Sequence, residues 1–526
     1  MNRTTLSLGA AVVALAAVTG IASATSGGDG AAAAASSPAR LPVERSSALC
    51  PSPGDSQTAD TTYTSVTPKG TGVAPDGDSA AALVPAATGD GPGAGPSASS
   101  KKKSSKKNTT GKGGKATASA SPSASGTKPL LSLKQPGTPV TATAGDDPAA
   151  LVGTATGALA PGWTTQETTT DDVGDGRGVA GLTCTAPDTD FWLPGASTAK
   201  DREDYVHLTN PDDSTAVVDL RLYGKNGALK SDTADGLPVP AHSSVPVLLS
   251  TLTSQAEDDV TVHVTTRSGR VGAALRASEG DTGVDWLAPS ADPAPSLVLP
   301  GIPADASDVR LVVFAPGQND ADLNLELSGP TGGIVPAGHE SLHVRSGMTA
   351  SVDLKDVTRG EAGSLLLTPS SGDRPTPVVA ALQVVRGKGD DREMAFIPAT
   401  APVTARATAA DNRAKGSTLS LTAPRGAAEV AVTASAGTGG GTPATKTYTV
   451  KAGTTLAVTP PVPAGLKGSY ALTVEPKSGG PVYAARTLAL PKDGVPMFTV
   501  QTLPDDRGTV SVPAARQDLS ILTSED

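Results

Sequence analysis

Val271-Gly-Ala-Ala-Leu-Arg276, Val378-Val-Ala-Ala-Leu-Gln383 and Val482-Tyr-Ala-Ala-Arg-Thr487 are the stretches that decide the fold. Each follows a tight-turn signal: Arg267-Ser-Gly-Arg270, Ser370-Ser-Gly-Asp373 and Lys477-Ser-Gly-Gly480. Each is followed by an apolar-aromatic run: Val284-Asp-Trp-Leu287, Met394-Ala-Phe-Ile397 and Met497-Phe-Thr-Val500. Glycine-containing turns between β-type runs read as hairpins. The Ala-Ala pairs begin at 273, 380 and 484, in steps of 107 and 104. A period of about 100 residues is a repeat of whole domains, longer than a solenoid unit of roughly 20–50.

At 526 residues the chain has room for three or four domains. It holds 59 Gly and 45 Pro and is only 2% aromatic, and its short Val/Leu/Thr runs are cut by Gly, Pro, Asp and Ser. About seven short strands per domain, with turn signals between them, is an immunoglobulin-like sandwich signature. The fold class expected is all-β: tandem immunoglobulin-like β-sandwich repeats, three clear and one divergent at the N-terminus. Hydrophobic-Pro steps mark the clear copies: Trp192-Leu-Pro-Gly195, Val298-Leu-Pro-Gly301 and Phe396-Ile-Pro-Ala399. Their boundaries read 191–290, 296–397 and 398–503, with a C-terminal tail over 504–526. The divergent copy spans 41–190, and its first strands come from 41–66. Its hairpin strand reads as 179–184, after Asp175-Gly176 and before Asp190-Phe-Trp-Leu193.

Met1-Asn-Arg3 precedes an uncharged Ala/Val/Leu-rich segment from Leu6 to Ala24, closing on Ala22-Ser-Ala24. That is the pattern of a cleaved secretory signal. Residues 1–24 are read as a signal peptide, or an N-terminal anchor if uncleaved, with a spacer over 25–40. The chain is thus expected to be secreted or at the cell surface. Two cysteines in an exported chain point to one disulfide, Cys50 with Cys184, stapling the first strand of the divergent copy to its hairpin strand. Between them, 68–128 collapses into Gly, Pro, Ser, Ala and Lys with no apolar face, and reads as a disordered insertion.

Lys101, Lys102, Lys103, Lys106, Lys107, Lys112 and Lys115 concentrate in that insertion. The formal charge is −10; without those seven lysines 35 basic residues face 52 acidic ones, a net of −17. An acidic body argues against a nucleic-acid surface. A lysine run with no interleaved aromatics is also a poor reader of bases. It offers a loose electrostatic contact for anionic envelope polymers or phospholipid headgroups, and serves equally as a solubilising linker.

Two catalytic-looking motifs fail on context. His339-Glu-Ser-Leu-His343 is a literal H-E-x-x-H, which binds zinc when a helix puts both histidines on one face. The repeat lays 340–347 over 446–453, which makes the stretch a strand with Leu342 and Val344 inward and His343 outward. On a strand, residues i and i+4 lie about 13 Å apart, too far for one zinc. Gly176-Arg-Gly-Val-Ala-Gly181 is a literal G-x-G-x-x-G, but here it is a hairpin turn and strand, with no helix to hold a pyrophosphate. His207, His242 and His263 do not cluster, and His263 reads as a solvent-facing strand residue. No G-x-S-x-G elbow and no cysteine–histidine nucleophile pair is suggested. Asp188/Asp190, Asp201/Asp204, Asp212/Asp213, Asp258/Asp259 and Asp390/Asp391 match no calcium-loop spacing and read as solvated turns. No catalytic, cofactor-binding or metal-ligating residue is expected, and no cofactor.

Leu41-Pro-Val-Glu-Arg45, Asp190-Phe-Trp-Leu-Pro-Gly195 and Asp204-Tyr-Val-His-Leu-Thr-Asn-Pro-Asp-Asp213 resemble an actinobacterial family of exported proteins of unknown function. The resemblance covers nearly all of the chain outside the signal and the lysine-rich insertion. It implies no catalytic residues, and a cell-envelope context beside glycosyltransferases and nucleotide-sugar enzymes. The function expected is a non-enzymatic envelope scaffold or interaction protein. Its partner would be an envelope protein or an anionic surface polymer, with no nucleic acid, and with membrane contact only through the N-terminal segment. The alternative is a glycan-binding or accessory subunit of envelope polysaccharide assembly, which needs aromatic platforms. Trp192 and Trp286 sit where core residues belong and count against it. A hydrolase is disfavoured, because no acid/base or nucleophile set converges.

Overall fold

Alternation of apolar and polar residues over short runs sets up half-buried strands. Leu151–Thr156 buries every second residue, and Ala321–Ser328 does so through Leu323, Leu325 and Leu327. The structure, a computed structural model, describes residues 39–54, 56–70, 79–89, 128–145, 148–174, 176–370 and 375–513. Among these there is no α-helix, only three short 3₁₀ turns. None of the described residues forms a helix long and apolar enough to cross a membrane.

Pro42–Val510 is one compact unit. It is built of four sandwiches: I (45–183), II (190–287), III (297–398) and IV (407–502). Each has eight main strands in one connectivity. Strands 1, 6, 3 and 4 make one sheet in that order, and strands 8, 7, 2 and 5 make the other. In sandwich I the first sheet is Arg45–Cys50, Leu151–Thr156, Ala81–Pro85 and Leu131–Leu133. The second is Gly178–Thr183, Thr164–Asp171, Asp60–Val66 and Val140–Thr143. Pairing 2 with 5 and 3 with 6 is the immunoglobulin-like core, but strands 1 and 7 exchange sheets relative to that fold.

The Leu-Pro-Gly steps of II and III lie in strand 1 and mark a bulge. Register shifts occur at Pro194/Ala196 and Pro300/Ile302, where Gly195 and Gly301 have φ of 104° and 93°. Strand 1 is a sheet edge, so the missing proline N–H costs no ladder bond.

The four sandwiches close into a ring. Strand 1 of II (Asp190–Ala196) packs on strand 7 of III (Val379–Arg386), and strand 1 of III (Leu297–Ile302) on strand 7 of IV (Tyr483–Ala489). Strand 1 of IV (Ala407–Asn412) packs in turn on strand 7 of I (Thr164–Asp171). Leu49, on strand 1 of I, crowds Gly272 of II, where an added Cβ would stand 2.8 Å from the Leu49 Cβ. The eighth strands, Gly178–Thr183, Gly283–Leu287, Glu393–Pro398 and Phe498–Thr502, pack each on the next around the middle.

Phe396 and Met394 of III enter the core of II, and Phe498 and Val500 of IV enter the core of III. Ala180 and Leu182 of I meet Val284 and Trp286 of II. Among the described residues, I and IV share only small apolar groups: Val179 with Val495 and Met497, and Val66 with Ala410 and Ala471.

Several sequence expectations change. The strand of I equivalent to the Ala-Ala strands is Thr164–Asp171, not 179–184, which is strand 8. Its threonines carry no Ala-Ala mark, so the turn before Gly178 drew the alignment one strand too far. Phe396-Ile-Pro-Ala399 belongs to strand 8 of III and does not open IV. The insertion 68–128 is not wholly structureless. Ala81–Pro85 is strand 3 of sandwich I, with Leu83 fully buried, and Ala87–Thr88 joins strand 5 of II (Ser243–Leu248) in parallel. Ala-Ala-Leu-Val-Pro is too short to declare a face by itself; its burial comes from the strands on either side.

The tail 504–526 is ordered at its start. Asp505 accepts the backbone N–H groups of Thr404 and Ala405, each at 2.9 Å, and Thr509–Val512 pairs with Ala39–Pro42, the latter overlapping the expected spacer. Thr509-Val-Ser-Val512 and Ala39-Arg-Leu-Pro42 are too short to announce a pairing across the length of the chain. The signal segment 1–24, most of the spacer and Lys101 through Lys115 lie outside the described residues.

Candidate functional site

A carboxylate in the middle of an apolar strand organises the ring's centre. Asp285 stands in Gly283–Leu287, strand 8 of II, and is fully buried. Its Oδ1 accepts the backbone N–H of Gly181 from sandwich I (3.0 Å) and the hydroxyl of Thr499 from IV (3.0 Å). Its Oδ2 accepts the backbone N–H of Phe396 from III (3.2 Å). One side chain therefore ties all four sandwiches together. Burial pushes its pKa up to about 8, against the amides of Gly181, Trp286 and Phe396 and the Thr499 hydroxyl, which hold it down.

Glu393, at the start of strand 8 of III, is the second buried carboxylate. Its Oε1 accepts the backbone N–H of Val179 (2.9 Å), while Oε2 has no partner. Burial pushes it up to about 8, reinforced by Asp285 and opposed by the Val179 amide and by Arg177 and Arg386. Strand 8 of I thus gives amides to two foreign carboxylates. This accounts for two of the three glycines of 176–181: a Cβ on Gly178 would stand 2.5 Å from Glu393 Oε1, and one on Gly181 2.1 Å from Gln501 Nε2, whereas Gly176 has room for one. They serve close approach of strands at the ring's centre, without a helix N-terminus.

Polar contacts also line the seam where IV meets I. Thr168 of I donates to Asp411 Oδ2 (2.9 Å), and the Asp411 amide and Arg486 Nη2 both donate to Gln166 Oε1 (2.9 and 3.1 Å). Arg413 pairs with Asp411, and Lys492 pairs with Asp172. In the Ala-Ala register Arg486 occupies the place of Leu275 and Leu382, which are core residues of II and III. Glu167, on strand 7 of I, is likewise fully buried, with both carboxylate oxygens unpartnered. Burial raises its pKa well above the usual carboxylate range, Arg276 opposing.

The residues singled out in the sequence fall elsewhere. Cys50 and Cys184 are bonded, with Cα atoms 4.5 Å apart, joining strand 1 of sandwich I to the residue after strand 8. Ser341–Val344 is a strand paired with Ala321–Ser328, so the H-E-x-x-H lacks the helix it needs. His343 is exposed and pairs with Asp322 (2.7 Å) and Asp320 (3.4 Å). His263, expected in solvent, is half-buried: it stacks on Trp192 at 3.6 Å and bonds Asp190 at 2.8 Å. An aromatic ring directly opposite on the paired strand, with four main strands of sequence between them, is invisible to local alternation. His207 is buried edge-on to Trp286, and desolvation brings it to about 3.

Several acidic pairs are arginine partners. Asp204 holds Arg202, Asp212 holds Arg270, and Asp259 holds Arg310 across the II–III interface. Among the described residues no group of three or more His, Cys, Asp or Glu could hold a metal ion. None of the three Trp, six Tyr and four Phe is exposed.

The family of unknown function DUF5719 has a model that matches residues 140–461, and the chain belongs to that family. The match takes in II and III whole and parts of I and IV. No curated protein and no solved structure matches the chain.

Proposed function

We propose that this chain is an exported, non-enzymatic scaffold or interaction protein of an actinobacterial cell envelope, acting by surface recognition without chemistry. The observation that carries the reading is the ring itself. Four sandwiches are fixed in one arrangement by Asp285, which bonds to all of them. A body whose buried polar groups serve interdomain contacts suits presenting surfaces to partners. The buried Cys50–Cys184 bond supports an oxidising compartment, where such bridges persist. No Trp, Tyr or Phe is exposed, which speaks against sugar-stacking platforms, so the glycan-binding alternative has less support.

Crosslinking in intact cells, followed by pull-down from envelope fractions, tests the reading. A recurrent envelope protein or polymer captured by the wild-type chain supports it. Recovery of the chain in the cytoplasm with free thiols would sink it. Repeating the capture after deleting 101–115 shows whether the lysines make the contact. Metal analysis with a proteolysis assay on wild type and His339→Ala would revive a hydrolase if stoichiometric zinc and His339-dependent cleavage appeared.

A further inference from the structure

Arg486 is fully buried, and no carboxylate pairs with it. Its Nη2 donates to Gln166, while Nε and Nη1 have no hydrogen-bond partner. Directly across the ladder, Gln501 has both amide atoms unpartnered. Tyr470, buried on strand 6 of the facing sheet (Tyr470–Gly479), has an unpartnered hydroxyl. The carboxylates whose charges reach Arg486 are committed: Asp411 to Arg413 and Thr168, and Asp285 to its ring of donors. Burial pulls the guanidinium down to about 10 despite them, which marks a cation short of negative charge. A buried ion without a paired counter-charge, beside buried polar atoms without partners, is strongly unfavourable. Sandwiches II and III avoid the problem with leucine at the same position.

We infer that the seam closing the ring holds a small inorganic anion of the chloride class on Arg486, with Gln501 Nε2 and the Tyr470 hydroxyl as its further donors. A guanidinium, an amide N–H and a hydroxyl supply donors and positive charge, which select an anion over a neutral water. Both arms of the site touch sandwich I. Arg486 bonds Gln166, and Gln501 lies against Gly181. The anion therefore belongs to closure of I on IV, and it enters or leaves only when that seam opens, because Arg486, Tyr470 and Gln501 are buried.

The test uses the full chain at fixed ionic strength, exchanging gluconate for chloride. Rising chloride is expected to raise the thermal midpoint and to slow amide hydrogen exchange in Thr164–Asp171 and Ala407–Asn412, the two strands of the seam. Arg486→Leu, which installs the residue of II and III, should fold and lose that response. Crystals grown in bromide provide a second measurement that does not depend on the variant folding, with an anomalous peak expected beside Arg486. A water there without anomalous signal overturns the inference, as does an Arg486→Leu protein whose chloride response matches the wild type.

Discussion

The ring has two kinds of joint. Between II and III, and between III and IV, large apolar side chains cross over: Phe396 and Met394 in one case, Phe498 and Val500 in the other. Between IV and I the contacts are Thr168 with Asp411, Gln166 with Arg486, and Lys492 with Asp172, over small apolar groups. Hydrophobic burial is non-directional and tolerates approximate fit. Buried hydrogen bonds stabilise only when geometry is met and cost energy when it is missed. Polar contacts cross the other joints too, Arg310 with Asp259 and Ser364 with Thr422, but there they accompany crossing aromatic rings, whereas the junction joining the chain's far ends leans on polar geometry. The asymmetry predicts that the ring opens first at the IV–I seam, as faster amide hydrogen exchange there than at the other joints.

The strongest way to break this comparison is to weaken an apolar joint. Phe396→Ala removes a fully buried ring from the II–III junction, and a loss of about 3–5 kcal/mol is expected in chemical denaturation. A loss under about 1 kcal/mol would show that burial does not hold that joint. Replacing Cys50 and Cys184 together by Ser should cost about 2–5 kcal/mol, measured the same way, with sandwich I and its seam loosening first in hydrogen exchange.

Asp285 gives a pH signature. The folded state holds its proton up to about 8, and the unfolded chain only up to about 4. Between those values the unfolded chain binds fewer protons, so stability falls as pH rises, by at most about 1.4 kcal/mol per pH unit. The contribution is whole below about pH 4 and lost as pH rises to about 8. Glu393, raised to about 8, adds a slope of the same sign. Urea melts across this range should show a shallower slope for Asp285→Asn than for wild type, with the Glu393 share remaining.

At the seam, Thr168→Val deletes one hydrogen bond to Asp411 and should cost about 1 kcal/mol, with faster exchange in Ala407–Asn412 and none in Val379–Arg386. A uniform change across all junctions would erase the distinction. His343→Ala, on an exposed strand position, should shift stability by no more than about 0.5 kcal/mol.

Much of the architecture was legible in the chain. The Ala-Ala strands at 273, 380 and 484 are strand 7 of II, III and IV, and the apolar-aromatic runs after them are strand 8. The disulfide followed from two cysteines and a leader-like N-terminus. Sandwich I was visible in outline, but its register slipped because Thr-Thr-Gln-Glu-Thr-Thr-Thr-Asp lacks the small apolar pair. The central site left a faint trace. Asp285 interrupts a run where its counterparts are Ala395 and Thr499, and Arg486 replaces a leucine that II and III keep. A charge at a position the repeat marks as core was the signal available, and reading it needed a correct alignment of all four copies.

The sequence by itself determined that the chain is a tandem of β-sandwiches, because period-two alternation and turn residues act over a few neighbours and the repeat multiplies that signal. Only the tertiary structure decided that the tandem closes into a ring with Asp285 at its middle. Closure depends on which eighth strand meets which, across separations of 104 residues for Gly181 with Asp285 and 214 for Thr499 with Asp285. A carboxylate in an apolar run reads as a flaw until the two amides and the hydroxyl that surround it arrive from three other domains. That convergence is a property of packing, and no local pattern encodes it.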